Sequence, residues 1–203
     1  MDYPLPDETD VTGRLTRIVP SRFPPIGVFE DVLDQDEFEI AYEIEAMTND
    51  RIRDEVGDIT RVPARDRLFG PGSSPVMAAF THIGTPSRFT AGDYGVYYAA
   101  NSLTTAISET VYHRERFLAA SGEPDMEITM RVYTNQAVKP LLDLRPATYN
   151  PLQDPDPGTY PHAQATAAVW RQDGHNGLLY QSARDGKGLC VAVFRPNALT
   201  PVT

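Results

Sequence analysis

The sequence predicts an α/β domain in which a mixed β-sheet is flanked by helices. Two short apolar runs read as buried strands: Gly95 to Ala100 (GVYYAA), rich in β-formers, and Gly188 to Phe194 (GLCVAVF), apolar almost throughout. Between them the spacing turns helical. Leu103, Ala106, Ile107 and Thr110 fall at i, i+3, i+4 and i+7, and Ala163, Ala167 and Trp170 share one face of a later segment. Strand and helix signals alternating along 203 residues, with no internal repeat, fit one domain over 1–203.

In chain order, residues 1 to about 12 are acidic and Pro-rich and read as a flexible arm. Leu15-Thr16-Arg17-Ile18-Val19 is a short strand, stopped by Pro20 because proline brings no ladder donor. Phe38, Ala41, Ile44 and Met47 space an acidic amphipathic helix within 28–47, and an arginine-rich stretch (Arg51, Arg53, Arg61, Arg65, Arg67) follows it. Gly70 to Pro75 is a loop by composition, and Val76 to His82 reads as a strand or buried turn. After the GVYYAA strand, Asn101 or Ser102 can cap a helix that runs to His113-Arg114, basic residues suited to a C-terminus. Glu127 to Tyr133 alternates with period two, a half-buried strand, and Leu141 to Leu144 is another. The Pro/Asp-rich stretch from Tyr149 to Pro161 reads as a loop before the helix His162–Trp170. Gly174 to Gly177 turns the chain into Leu178 to Arg184.

Composition removes several classes of function. A net charge of −10 argues against a direct nucleic-acid binder, since phosphate backbones select basic surfaces. No apolar run reaches membrane-spanning length, and the acidic N-terminus is unlike a signal peptide, so a cytoplasmic protein is expected. Cys190, the one cysteine, reads as a small buried apolar residue. The four histidines (82, 113, 162, 175) lack metal-ligand spacing, and no metal site is expected. Of these only His162, at the start of its helix, is expected near a pocket. The acids of 30–45 lack the ligand spacing of a calcium loop, and neither a phosphate-cradling glycine loop nor a G-x-S-x-G elbow occurs.

One constellation carries chemistry. Arg88-Phe89 precedes Tyr98-Ala99-Ala100-Asn101-Ser102, and Thr105-Ala106-Ile107-Ser108-Glu109 follows. Arg88 and Tyr98 are ten residues apart, Glu109 lies eleven further, and Ser182-Ala183-Arg184 precedes the final strand. In order and spacing these phrases resemble the RES domain, the toxin of bacterial RES–Xre toxin–antitoxin pairs, over most of 76–195. RIVPSRFP near the N-terminus is similar to the family opening and makes Arg17 the first family arginine. Arg67, 21 residues before Arg88, is the alternative. Gln164 matches a glutamine of the family. Compact relatives have only a loop over about 30–75, which reads here as a helical insertion.

The resemblance implies a fold similar to ADP-ribosyltransferases and an enzyme that consumes NAD⁺ as a substrate, with no resident cofactor. Glu109, Arg88, Tyr98 and Ser182 are then the catalytic set, and Arg17, Arg88, Tyr98 and Gln164 bind NAD⁺. A guanidinium grips a diphosphate through two parallel hydrogen bonds, and a tyrosine ring offers a negative face to the nicotinamide cation. A carboxylate stabilises the oxocarbenium-like sugar left when the nicotinamide–ribose bond breaks. The expected acceptor of ADP-ribose is phosphate or water. The expected partner is a cognate Xre-type antitoxin, through which alone DNA would be contacted. Two other readings stand beside this one: ADP-ribosylation of a specific protein, and an inactive interaction module that binds a basic partner through its acidic helix.

Overall fold

The computed structural model describes residues 3–21, 34, 36–37, 57–122 and 124–203. The acidic helix expected within 28–47, together with Arg51 and Arg53, therefore lies outside the described residues.

The described residues contain seven strands: β1 (Glu8–Thr9), β2 (Leu15–Pro20), β3 (Tyr97–Ala100), β4 (Met130–Asn135), β5 (Leu141–Asp143), β6 (Gly177–Gln181) and β7 (Leu189–Val193). They form one sheet in the order β1-β5-β6-β7-β3-β2-β4. Only β5 and β6 pair in parallel, and the helix α3 (Tyr160–Gln172) lies in the crossover that a parallel pair needs. The other ladders are antiparallel, so the sheet is mixed, as the sequence predicts.

Both faces of the sheet are covered, which explains why its central strands read as unbroken apolar runs. Successive side chains of a strand point to opposite faces. Tyr97, Leu141, Leu179, Val191 and Val193 join one core cluster with Met77 and Phe80 of α1 (Ser74–Thr81). Their neighbours Leu142, Leu178, Tyr180, Cys190 and Ala192 join a second, packed on Trp170 and Ala167 of α3 and on Phe89. The second helix, α2 (Leu103–Ser121), starts at Ser102, whose hydroxyl accepts the Thr105 amide at 3.1 Å.

Five expectations need correction, the first being the end of α2, which runs past His113-Arg114 to Ser121 and stops at Gly122. Val76 to His82 belongs to helix α1, because Pro75 fits a first helical turn and the buried Val76, Met77 and Phe80 follow helical spacing. The N-terminal arm is docked: Glu8 and Thr9 pair with β5, and the Tyr3 ring lies 5.3 Å from His162. The Pro-rich stretch after Pro146 contains two 3₁₀ segments, Ala147–Gln153 and Pro157–Thr159. Finally, α2 turns Thr105 and Ala106 inward, and the bulkier stripe lies outward, with Leu103 50% and Ile107 47% exposed.

Gly95 lets α1 sit directly against the start of β3, since a Cβ there would overlap the backbone of Ala79 and Phe80. Forcing atoms into such a contact costs about 1–3 kcal/mol. We predict that Gly95→Ala lowers the urea midpoint by an amount in that range with an unchanged m-value, measured by equilibrium unfolding.

Candidate functional site

Arg88 lies in the loop that leads to β3, and almost every backbone group around it is fixed. The Ser87 carbonyl accepts a hydrogen bond from Gln164 Nε2 of α3 at 2.8 Å. The Phe89 amide donates to the Tyr98 hydroxyl at 3.2 Å, and the Phe89 carbonyl accepts from the Tyr94 hydroxyl at 2.6 Å. Tyr98 also exchanges a 2.7 Å hydrogen bond with Ser87 Oγ. Phe89 is fully buried, edge-on to Tyr180 at 5.1 Å, and burying such a ring contributes about 2 kcal/mol toward holding the loop. Gln164 and Tyr98, expected as substrate contacts, thus also brace the arginine.

The Arg88 guanidinium sits between two rings, 5.6 Å from Tyr160 and 5.7 Å from Tyr180. Only 9% of the residue is exposed. Burial acts to lower its pKa, but Tyr180, Tyr160 and the charge of Glu109 outweigh it and hold the group above its ordinary value. Its Nε is buried and has no hydrogen-bond partner. An unmet buried donor costs about 1–3 kcal/mol, which an anionic ligand would recover. Arg17 repeats the pattern. Its Nη1 donates to the Tyr98 carbonyl at 2.9 Å, its guanidinium covers the Tyr97 ring at 4.6 Å, and its Nε is also buried without a partner.

Glu109 projects from the second turn of α2. Its Oε1 accepts the Ser182 hydroxyl at 2.6 Å. Ser182 Oγ in turn accepts the amides of Arg184 at 3.1 Å and Asp185 at 3.0 Å. With its acceptor sites engaged, the serine has one hydrogen to give, and it gives it to the carboxylate. Ser182 is buried behind Glu109 and does not line the cavity described below. Ser182, expected in the catalytic set, thus braces the acid from behind the cavity. Around the carboxylate, His113 Nε2 lies 3.9 Å from Oε2, and the Cys190 thiol lies 4.0 Å from Oε1.

These groups line one cavity of about 1310 Å³, above the usual range for small-ligand pockets. Arg17, Arg88, Tyr98, Glu109 and Gln164 all line it, so the structure brings together five of the six residues singled out, with Ser182 directly behind them. Arg67 is elsewhere: its Nε donates to the Val62 carbonyl at 3.0 Å and its Nη2 to that of Ile59 at 3.4 Å. Of the two candidates, Arg17 is the one at the cavity. His162 does not line the cavity, whereas His82 and His113 do. Sequence reading also misses Tyr160 and Tyr180, which flank Arg88 from distant segments.

Among the described residues, Arg116 joins Arg17 and Arg88 in the lining, where Glu109 supplies the one carboxylate. Among the described residues the lining therefore carries more guanidinium groups than carboxylates, an arrangement that attracts an anion. Among the described residues, no group of three or more His, Cys, Asp or Glu is placed to hold a metal. Nor is any helix among them long and apolar enough to cross a membrane.

Comparison with known proteins bears on this site. The RES domain family model matches residues 61–202, which include every lining residue discussed here except Arg17. The uncharacterized protein y4oC of Sinorhizobium fredii (strain NBRC 101917 / NGR234) is 26% identical over 207 residues, spanning 95% of this chain and 80% of that protein. A chain of the M. tuberculosis MbcT–MbcA toxin–antitoxin complex has a similar fold, with a TM-score of 0.50 at 15% identity. That match covers 97% of this chain and 84% of the other.

Burial pushes Tyr97 and Tyr98 up to about 12, and burial with the nearby Glu109 charge does the same to Cys190. The native state then holds protons that the unfolded chain has released, so stability is full below pH about 10 and falls as pH rises toward 12. The urea midpoint should decline over that interval, with phenolate absorbance for these residues appearing only on unfolding. Ionisation of all the tyrosines near 10 in the folded protein would contradict this.

Proposed function

The chain belongs to the RES domain family, and from that premise we propose that it is the NAD⁺-consuming toxin of a bacterial toxin–antitoxin pair. In this reading it cleaves the nicotinamide–ribose bond and passes ADP-ribose to phosphate or water. The observation that carries the reading is a pairing inside one cavity: a buried arginine with an unmet Nε donor, and a carboxylate held by a buried serine. The structural relative comes from a complex of a toxin with its antitoxin, which supports the same class.

Arg88 takes the diphosphate, with Nε and a terminal nitrogen forming the two-pronged contact that guanidinium geometry favours. Arg17 extends the cationic wall along the dinucleotide. The rings of Tyr98, Tyr160 and Tyr180 line the same hollow and give the pyridinium cation negative faces to stack on. Glu109 faces the ribose. As the bond to nicotinamide lengthens, positive charge spreads over the anomeric carbon and ring oxygen, and the fixed carboxylate stabilises it. Nicotinamide leaves with the bonding electron pair as a neutral molecule. The acceptor oxygen then attacks the anomeric carbon and gives up its proton. A single domain, similar to ADP-ribosyltransferases, would carry all of this, with a cognate Xre-type antitoxin blocking the cavity.

Proton NMR of the protein with NAD⁺, with and without inorganic phosphate, tests the proposal. Free nicotinamide is expected, with ADP-ribose 1″-phosphate when phosphate is the acceptor; intact NAD⁺ at high enzyme concentration would refute it. Glu109→Gln should cut nicotinamide release by about a hundredfold or more, since fixed transition-state electrostatics contributes roughly that much. Arg88→Lys keeps the charge and loses the fork, so KM for NAD⁺ should rise by about tenfold.

A further inference from the structure

Glu109 is tied to the loop after β6 by Ser182, but a single hydrogen bond does not fix how a helix sits against a loop. A second tie lies one helical turn earlier. Thr105, 1% exposed, donates its hydroxyl to Asp185 Oδ2 at 2.8 Å. Thr105 and Glu109 stand four residues apart and so share one side of α2. On the loop, the Asp185 amide bonds Ser182 Oγ at 3.0 Å, the same oxygen that donates to Glu109. The four residues close a ring, Thr105 to Glu109 along the helix and Ser182 to Asp185 along the loop.

Each corner is braced. Ser102 Oγ lies 2.7 Å from Thr105 Oγ1 and takes the Thr105 amide. Asp185 Oδ1 accepts the Lys187 amide at 3.2 Å, and the Asp185 carbonyl accepts that of Gly188 at 2.9 Å. Gly188 has no room for a side chain, because a Cβ would collide with Thr105 and with Asp185 Oδ2. The loop is therefore pressed directly onto the threonine.

We infer that Thr105 and Asp185 form a clamp that sets the register of the Glu109 carboxylate on Ser182, and are positioning residues for the reaction. The inference rests on the function proposed above for Glu109. Two ties between helix and loop define the carboxylate's direction where one would let it swing, and a misplacement of about 1 Å can cost a hundredfold in rate.

The test uses nicotinamide release by the full chain. Thr105→Val, close to isosteric, should lower kcat by about tenfold to a hundredfold with KM for NAD⁺ changed less than about threefold. Thr105→Ser keeps the hydroxyl and should recover most of the turnover. In a Glu109→Gln background, Thr105→Val should add almost no further loss, because the clamp acts through that carboxylate. Wild-type kcat in Thr105→Val, or a full additional loss in the Glu109→Gln background, would overturn the inference. Should Thr105→Val fail to fold, Asp185→Ala, at a half-buried side chain, takes its place with the same expected kcat loss. If the wild-type protein releases no nicotinamide, the proposed function fails, and the clamp is judged on the crystal structure of Asp185→Ala. A displaced Glu109 carboxylate supports it and an unchanged Ser182–Glu109 hydrogen bond overturns it.

Discussion

The hydrogen bond from Ser182 to Glu109 is the constraint on which the site depends. A carboxylate on a helix ordinarily turns toward water, and a lone acid at this position in the sequence carries little information. Here the serine hydroxyl is buried, its acceptor sites are filled by two backbone amides, and its proton has one place to go. The acid is thereby fixed inside the molecule. That fixity separates it from the many acids of a chain whose net charge is −10. A group meant to meet charge that appears only in a transition state is most effective when it need not reorganise.

Arg88 is prepared by different means to the same end. Its neighbours are pinned through Gln164, Tyr98 and Tyr94, and its guanidinium rests between two tyrosine rings. Strand order brings the two groups together. Tyr98 and Ala100 of β3 pair with Ala192 and Cys190 of β7, and Cys190 pairs with Tyr180 of β6. Residues far apart in the chain thus become neighbours across three strands, with the Arg88 loop at one side and α2 at the other.

Much of this is legible in the sequence, for definite reasons. The apolar runs around Tyr98 and Val191 have the length and composition of covered strands, and both are central strands. Ser102 has the chemistry of a helix cap and acts as one. The grouping of Arg88, Tyr98 and Glu109 is visible because two turns and one strand separate them, a unit short enough to read locally. What the sequence hides is long-range or depends on size. Tyr160 and Tyr180 reach Arg88 only through tertiary packing. The stripe of Leu103 and Ile107 looks like a core face, yet the close approach of α2 to the loop at Gly188 selects the small Thr105 and Ala106. Ser182 stands out in the sequence as a member of the catalytic set, but nothing local reveals that its hydroxyl is directed at Glu109. The N-terminal arm looks loose by composition, and the edge of the sheet at β5 gives it a partner.

In the function proposed above, this one cavity seats a pyridinium dinucleotide with its diphosphate on Arg88 and its ribose against Glu109. A crystal structure of Glu109→Gln soaked with NAD⁺ tests it most directly. A diphosphate oxygen is expected about 2.8 Å from Arg88 Nε, filling the donor now without a partner, with the anomeric carbon beside residue 109. A dinucleotide bound away from Arg88, or a cavity that stays empty at saturating NAD⁺, would contradict it.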